Sequence, residues 1–182
     1  MSLTLDLRYL PLAWRLAGMD KMNLQLLIDR AEISDCQLRY ATGLDMRDWK
    51  CFRSCFADEI EVDFSSIFPG DWPRTVSADR WTESARRTIS GLHATQHMIT
   101  NHVITVEGDK ALCVAYVRAH HFLPNDQGEN TQTMVGYYTN HFVRAPQGWR
   151  IKSCKLTVTW NKGNWGIFEL ARQRLAAAEG RK

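Results

Sequence analysis

Four long segments of alternating side-chain character, separated by short turns, constrain the fold of this chain more than any other feature. They span residues 93–106, 110–122, 131–144 and 149–160, and the turns between them contain glycine, proline or asparagine. A period of two is typical of β-strands, and short turns join strands that run antiparallel. The sequence therefore predicts a meander of four long antiparallel strands in its second half.

Helical periodicity dominates before this meander. An apolar stripe predicts a helix from about Asn23 to Asp45, and Asp48 is placed to cap a second helix that begins at Trp49. A short strand, a third helix and a last helix are predicted over residues 59–64, 77–92 and 165–178. We therefore expect an α+β domain over residues 23–182, preceded by an N-terminal arm of residues 1–22. A cone-shaped curved antiparallel sheet with helices on its concave face should enclose an apolar pocket.

The composition limits the partners and the location of the protein. A formal charge of +3 over 182 residues, without a basic run or a nucleic-acid motif, argues against nucleic acid. No apolar stretch reaches membrane-spanning length. The five cysteines lack the paired spacing of a metal or redox site, and the N-terminus does not have the pattern of a signal peptide. We expect a cytoplasmic protein.

Asp45 is the first candidate for chemistry, because it stands where a carboxylate is unfavourable. The C-terminal end of a helix carries partial negative charge, which disfavours an acidic side chain there. An exposed turn residue is the commoner role of a lone aspartate. The functional interpretation is that Asp45 belongs to a site inside the cone.

Two histidines of the predicted sheet are expected to face the pocket. The positions that alternate with His97 are Ile99, Asn101 and Val103. Alternation back from His121 selects small apolar residues at 119, 117, 115 and 113, as the wall of a cavity requires. The opposite row contains His120 and larger or charged residues. We therefore place His121 rather than His120 inside, a choice that a β-bulge would reverse.

The polar side chains expected to converge in the cone are Tyr40, Asp45, His97, His121 and Asn140. An aspartate beside a histidine can form a general base, because the carboxylate fixes the imidazole tautomer and stabilises the imidazolium. Two histidines and one aspartate also suit a metal site, although the chain lacks the short motif that usually supplies such ligands. A single histidine is more often structural than catalytic. The prediction of a catalytic site therefore depends on these side chains lying close together.

Four motifs follow one another along the chain: Tyr40-x4-Asp45-x2-Asp48-Trp49, then the residue ranges 61–64, 94–97 and 148–152. In order and spacing they resemble the SnoaL-like branch of the nuclear-transport-factor-2-like superfamily, over about residues 28–170. Within it the likeness is to scytalone dehydratases, with bile acid 7-alpha-dehydratases and lindane dehydrochlorinases as wider relatives. The resemblance implies the cone fold and a lyase that uses no cofactor or metal. We also expect a homo-oligomer, a dimer or a trimer.

The resemblance assigns roles residue by residue. Asp45 matches the aspartate that orients the catalytic histidine, and His97 matches that histidine, the general base. His121 matches a second active-site histidine, which we expect to act as general acid or hydrogen-bond donor to the leaving oxygen. Asn140 matches a substrate-binding asparagine, with Tyr138 an equal candidate. Tyr40 falls where bile acid dehydratases have a tyrosine.

Two positions depart from the scytalone dehydratase pattern. That family has two tyrosines that hold a water on the substrate carbonyl, and this chain has Leu44 and Phe64 there, as apolar contacts for the substrate. The group that polarises the substrate carbonyl would then be absent or supplied by another residue. Tyr40 and Tyr138 are the candidates for this role. Scytalone itself is therefore disfavoured as the substrate.

The last helix is expected to close the mouth of the cone as a lid, with Trp160 and Phe168 against the substrate. Simple packing on the sheet or on a neighbouring subunit is the alternative. The sequence thus predicts a dehydratase of an apolar hydroxylated ring compound, such as a polyketide, an aromatic or a steroid. An isomerase or cyclase with the same base is one alternative, and a non-catalytic binding protein is another. A pure binder has no need of a buried charge, which costs desolvation energy.

Overall fold

The computed structural model describes residues 21–180. In chain order the elements are α1 (Lys21–Asp45), α2 (Trp49–Ser54), β1 (Phe56–Asp63), β2 (Arg74–Ser77), α3 (Ala78–Ile89), β3 (Ala94–Glu107), β4 (Lys110–Phe122), β5 (Thr131–Ala145), β6 (Gly148–Gly163) and α4 (Ile167–Glu179). Asp48 caps α2 as predicted, accepting a hydrogen bond from the backbone N–H of Cys51. The predicted arm, residues 1–22, lies outside the described residues except for its last two, which belong to α1.

The six strands form one curved, unclosed sheet in the order β2-β1-β6-β5-β4-β3. The four long strands β3 to β6 pair antiparallel with their chain neighbours, so the predicted meander and the α+β class are confirmed. Two features differ from the prediction. β1 pairs with β6 in parallel, and the short β2 extends the edge of the sheet next to β1.

Irregularities along the long strands reset the alternation of side chains. On β3 the register shifts between Thr100 and Val103, and Asn101 has a positive φ of 56°. Ile99 is buried as expected, but Val103 is 66% exposed and Ile104 is buried instead. The expectation that Asn101 and Val103 continue the inward row of His97 is therefore wrong, because the bulge reverses the faces beyond it.

The row of small residues on β4 faces inward without interruption. Cys113, Ala115, Val117 and Ala119 are buried, and His121 ends the row with 1% of its surface exposed. His120 lies on the other face, where its Nδ1 is 2.7 Å from Thr133 Oγ1. The choice of His121 over His120 as the inward histidine agrees with this placement.

Helices cover the concave face and complete the core. On α1 the stripe of Ile33, Cys36, Tyr40 and Leu44 is buried. Gly91 follows α3 and lets α4 approach closely, because a Cβ at Gly91 would lie 1.8 Å from the carbonyl oxygen of Ala171. Among residues 21–180, no helix has the length and apolar character needed to cross a membrane.

Candidate functional site

A cavity of about 370 Å³ lies between the concave face of the sheet and the helices. Seven of the ten predicted site residues line it, and they are Tyr40, Leu44, Phe64, His97, His121, Tyr138 and Phe168. Asp45 lies behind His97 and contacts it directly. A cavity of this size, mostly apolar with a few converging polar groups, is typical of a small-molecule site.

Two predicted substrate contacts are not among the residues that line this cavity. Asn140 is 1% exposed, and its amide nitrogen donates to Gln37 Oε1 at 3.0 Å. Asn140 therefore forms a buried side-chain hydrogen bond with Gln37, which joins β5 to α1. Trp160 is 51% exposed. A register shift separates the Trp160–Val135 pair from the Val158–Gly136 pair, and the irregularity accounts for the outward position of Trp160 while Val158 lines the cavity.

Asp45 holds His97 through both of its carboxylate oxygens. Oδ1 lies 2.7 Å from Nδ1 of the His97 ring, and Oδ2 accepts the backbone N–H of His97 at 2.7 Å. Because a carboxylate that is ionised only accepts hydrogen bonds, Nδ1 carries the ring proton. The other ring nitrogen, Nε2, is then unprotonated in neutral His97, and the His97 ring lines the cavity. This is the geometry of a general base with an orienting carboxylate.

Burial and the neighbouring histidine set the charge of Asp45. Burial opposes ionisation of the carboxyl group, but the hydrogen bonds and the charge of His97 outweigh it, so the pKa of Asp45 lies below its ordinary value. The side chain of His97 is 5% exposed and that of Asp45 is 20% exposed. The pair is thus a carboxylate and an imidazole largely shielded from water, where their interaction is strong.

Arg47 and Thr95 support this pair, and neither was predicted as a site residue. Thr95 Oγ1 donates to Asp45 Oδ1 at 2.9 Å and accepts from Arg47 Nη1 at 2.8 Å. The same Arg47 nitrogen donates to the carbonyl oxygen of Leu44 at 2.6 Å. A cation on the last carbonyls of α1 offsets the helix dipole that disfavours a carboxylate there. Arg47 has a positive φ of 58°, which no local sequence signal indicates for an arginine.

His121 faces His97 across a corner of the cavity. The two ring centroids are 5.4 Å apart with an interplanar angle of 83°, and Phe168 packs on His121 with centroids 4.8 Å apart. His121 Nδ1 lies 3.2 Å from the carbonyl oxygen of Gln132. Because a carbonyl can only accept, Nδ1 is the protonated nitrogen and Nε2 is an acceptor.

The environment of His121 keeps its ring neutral. Burial, reinforced by the charge of His97, lowers the pKa of His121 to about 3. A neutral ring whose proton is held by Gln132 is a poor general acid at neutral pH. With Nδ1 on the Gln132 carbonyl, the other ring nitrogen of His121 is left as a hydrogen-bond acceptor, and the expected proton-donor role of His121 stays a prediction.

We expect His121 to make the protein less stable as the pH falls from about 6.5, the ordinary histidine pKa, toward about 3. In this window the unfolded chain increasingly binds a proton at His121 and the folded chain does not, so acid favours unfolding with a slope that rises to about 1.4 kcal/mol per pH unit. Urea unfolding at pH 7, 6 and 5 should show a shallower slope for His121→Gln. Burial also lowers the pKa of His102. The stability of His121→Gln should therefore still depend on pH to some extent.

The exposed His141 provides the matched control for this measurement. His141→Gln should retain the slope of the wild-type protein. Equal slopes for His121→Gln and the wild type would mean that His121 is not held neutral in the folded state.

Tyr40 and Tyr138 place a hydroxyl pair in the wall of the cavity. Their oxygens are 3.2 Å apart, and both side chains are buried. Burial raises the pKa of both phenols, so both are protonated at neutral pH. One hydroxyl donates to the other, which leaves one O–H free to donate to a ligand.

The described residues contain no group of three His, Cys, Asp or Glu side chains arranged to hold a metal ion. In this part of the chain the Nδ1 nitrogen of His97 lies against Asp45 Oδ1.

Residues 25–155 match the family model of the SnoaL-like domain. Among solved structures, the Kfla4162 protein of Kribbella flavida is 35% identical with a TM-score of 0.73, over 81% of this chain and 99% of that one. A provisionally assigned aromatic ring hydroxylase of Novosphingobium aromaticivorans is 25% identical with a TM-score of 0.66, over 76% of this chain and 94% of that one. A provisionally assigned scytalone dehydratase of the same organism is 19% identical with a TM-score of 0.65, over 76% and 89%. This last likeness shows the shared fold.

Proposed function

The chain belongs to the SnoaL-like domain family, and from this premise we propose that it is a cofactor-independent lyase that removes water from an apolar hydroxylated ring compound. The observation that carries the proposal is the Asp45–His97 pair, joined at 2.7 Å in the wall of an apolar cavity. The fold shared with a provisionally assigned scytalone dehydratase supports elimination as the type of reaction.

His97 is the general base of the proposed reaction. Its Nε2 removes a proton from a carbon next to a carbonyl or an activating ring, and Asp45 stabilises the imidazolium that forms. The electron pair of the broken C–H bond becomes the new C=C bond, and the C–O bond of the adjacent carbon breaks. The leaving hydroxide takes the proton from His97 and departs as water. The step is redox-neutral, and it returns His97 to its starting state.

The tyrosine pair and His121 orient the substrate. The free hydroxyl of the Tyr40–Tyr138 pair donates to the substrate carbonyl oxygen as negative charge develops on it, which stabilises the transition state. Neutral His121 accepts a hydrogen bond from the hydroxyl that leaves.

Phe168 of α4 covers His121 and limits the access of water, which strengthens these interactions. Its neighbours Ile167 and Ala171 are fully buried in the core. The helix therefore acts both as a packing element and as a lid.

Isomerisation by the same base is the second candidate. It is favoured by one observation: apart from His97 itself, the described wall of the cavity offers the leaving group no carboxylic acid and no protonated histidine. If the C–O bond does not break, His97 returns its proton to another carbon of the substrate. The product then has the mass of the substrate.

Mass spectrometry of a panel of hydroxylated ring ketones distinguishes the candidates. We expect products lighter by one water, formed without oxygen and in the presence of a chelator. A product of unchanged mass would indicate isomerisation, a gain of oxygen would indicate hydroxylation, and unaltered but bound ligand would indicate a binding protein. Loss of activity with the chelator and recovery with Mn²⁺, Fe²⁺ or Zn²⁺ would contradict the cofactor-independent mechanism.

A further inference from the structure

The wall of the cavity carries formal charge of one sign. Among the described residues that line it, the formally charged side chains other than the histidines are Arg74 and Arg172, with no aspartate, glutamate or lysine. Both arginines are exposed to solvent, whereas His121 at the inner end is 1% exposed. The formal positive charge therefore lies in the solvent-exposed part of the cavity wall, which we call its mouth.

Arg74 and Arg172 differ in whether their charge is neutralised. Arg172 forms an ion pair with Glu169 at 2.6 Å. Arg74 Nε donates to the carbonyl oxygen of Asp71 at 2.6 Å, and its guanidinium lies 4.4 Å from the ring centroid of Trp72. Within residues 21–180, no carboxylate lies within ion-pair distance of Arg74, and its two terminal nitrogens have no acceptor. The aromatic ring and the carbonyl thus hold the guanidinium in place while its planar fork stays free.

A second polar group without a partner lies in the same wall. Trp81 Nε1 is buried and has no hydrogen-bond acceptor among the described residues. Phe64 connects the two tryptophans, with ring centroids 5.0 Å from Trp81 and 6.3 Å from Trp72. A buried N–H without an acceptor is unfavourable, so a ligand that supplies an oxygen here would gain this interaction as well.

We propose that the substrate carries a carboxylate at the end remote from the reacting carbon, and that Arg74 binds this carboxylate at the mouth of the cavity with Trp81 as a neutral donor. This inference extends the proposed lyase function by naming the substrate class, an apolar ring acid. A free guanidinium matches the planar geometry of a carboxylate, and the positive charge at the mouth of the cavity attracts anions.

Isothermal titration at low salt with a matched pair of ligands tests the proposal. The probes are 4-phenylbutyrate and its neutral amide, 4-phenylbutanamide, which differ in charge but hardly in size. We expect the wild-type protein to bind the acid about 10-fold more tightly than the amide. Arg74→Gln should bring the affinity for the acid down to that for the amide and leave the amide unchanged.

Arg80 provides the control, because it is exposed on α3 and is not among the residues that line the cavity. Arg80→Gln removes the same charge and should keep the preference for the acid. Equal affinities of the wild type for both probes, or equal losses in both variants, would overturn the proposal. Because the titration measures binding and not turnover, an error about the reaction can be distinguished from an error about the substrate.

Discussion

Replacing His97 by glutamine should lower kcat by about 10²–10⁴-fold while the protein remains folded. The variant loses the nitrogen that removes the proton, and the glutamine amide is not a base. Asp45→Asn should lower kcat by a similar factor, because the ring then loses the carboxylate that fixes its tautomer and stabilises its charge. Steady-state kinetics on a substrate from the ring-ketone panel, with circular dichroism of each variant, measures both effects.

The matched control is His120→Gln on the outer face of β4, where the ring contacts Thr133. It should keep kcat within a small factor of the wild-type value. An inactive His120→Gln beside an active His97→Gln would contradict the assignment of the base.

Replacing Tyr138 by phenylalanine should lower kcat by about 10²–10³-fold if its hydroxyl is the free donor, as for the loss of one oxyanion-hole donor. If Tyr40 is the free donor, Tyr40→Phe should show the larger loss, because removal of the supporting hydroxyl disturbs the donor only indirectly. Comparison of kcat for the two variants therefore identifies the residue that touches the substrate.

Tyr137→Phe is the control for this pair, because Tyr137 is adjacent on β5 but is not among the residues that line the cavity. It should leave kcat unchanged. Full activity of both Tyr40→Phe and Tyr138→Phe would show that the hydroxyl pair plays no electrophilic part.

Features that depend only on the spacing of residues within one strand or helix could be predicted from the sequence. The alternation of small residues before His121 is a property of one strand, and it indicated the inward histidine without knowledge of its neighbours. The end of a helical stripe at Asp45 likewise identified a carboxylate in an unfavourable place. The resemblance to a known family then connected Asp45 with His97, 52 residues further along the chain.

Features that depend on irregular backbone or on distant partners could not be predicted. The bulge at Asn101 and the register shift near Trp160 reverse the face of the residues beyond them, and a count of alternate positions does not show such an insertion. Asn140 continues the inward row of Tyr138 but meets Gln37 of α1. The roles of Arg47 and Thr95 arise from contacts between separate elements. The predicted homo-oligomer and cytoplasmic location remain predictions.

Exchange of the substrate's acidic carbon proton with deuterated water tests the general base most directly, because it reports proton removal whether or not water is then eliminated. Wild-type protein incubated in deuterated water with a ring ketone that lacks the leaving hydroxyl should incorporate deuterium at the carbon next to the carbonyl. The His97→Gln and Asp45→Asn variants should incorporate it at the rate of the buffer alone. Exchange by His97→Gln at the wild-type rate would contradict the assignment of His97 as the base.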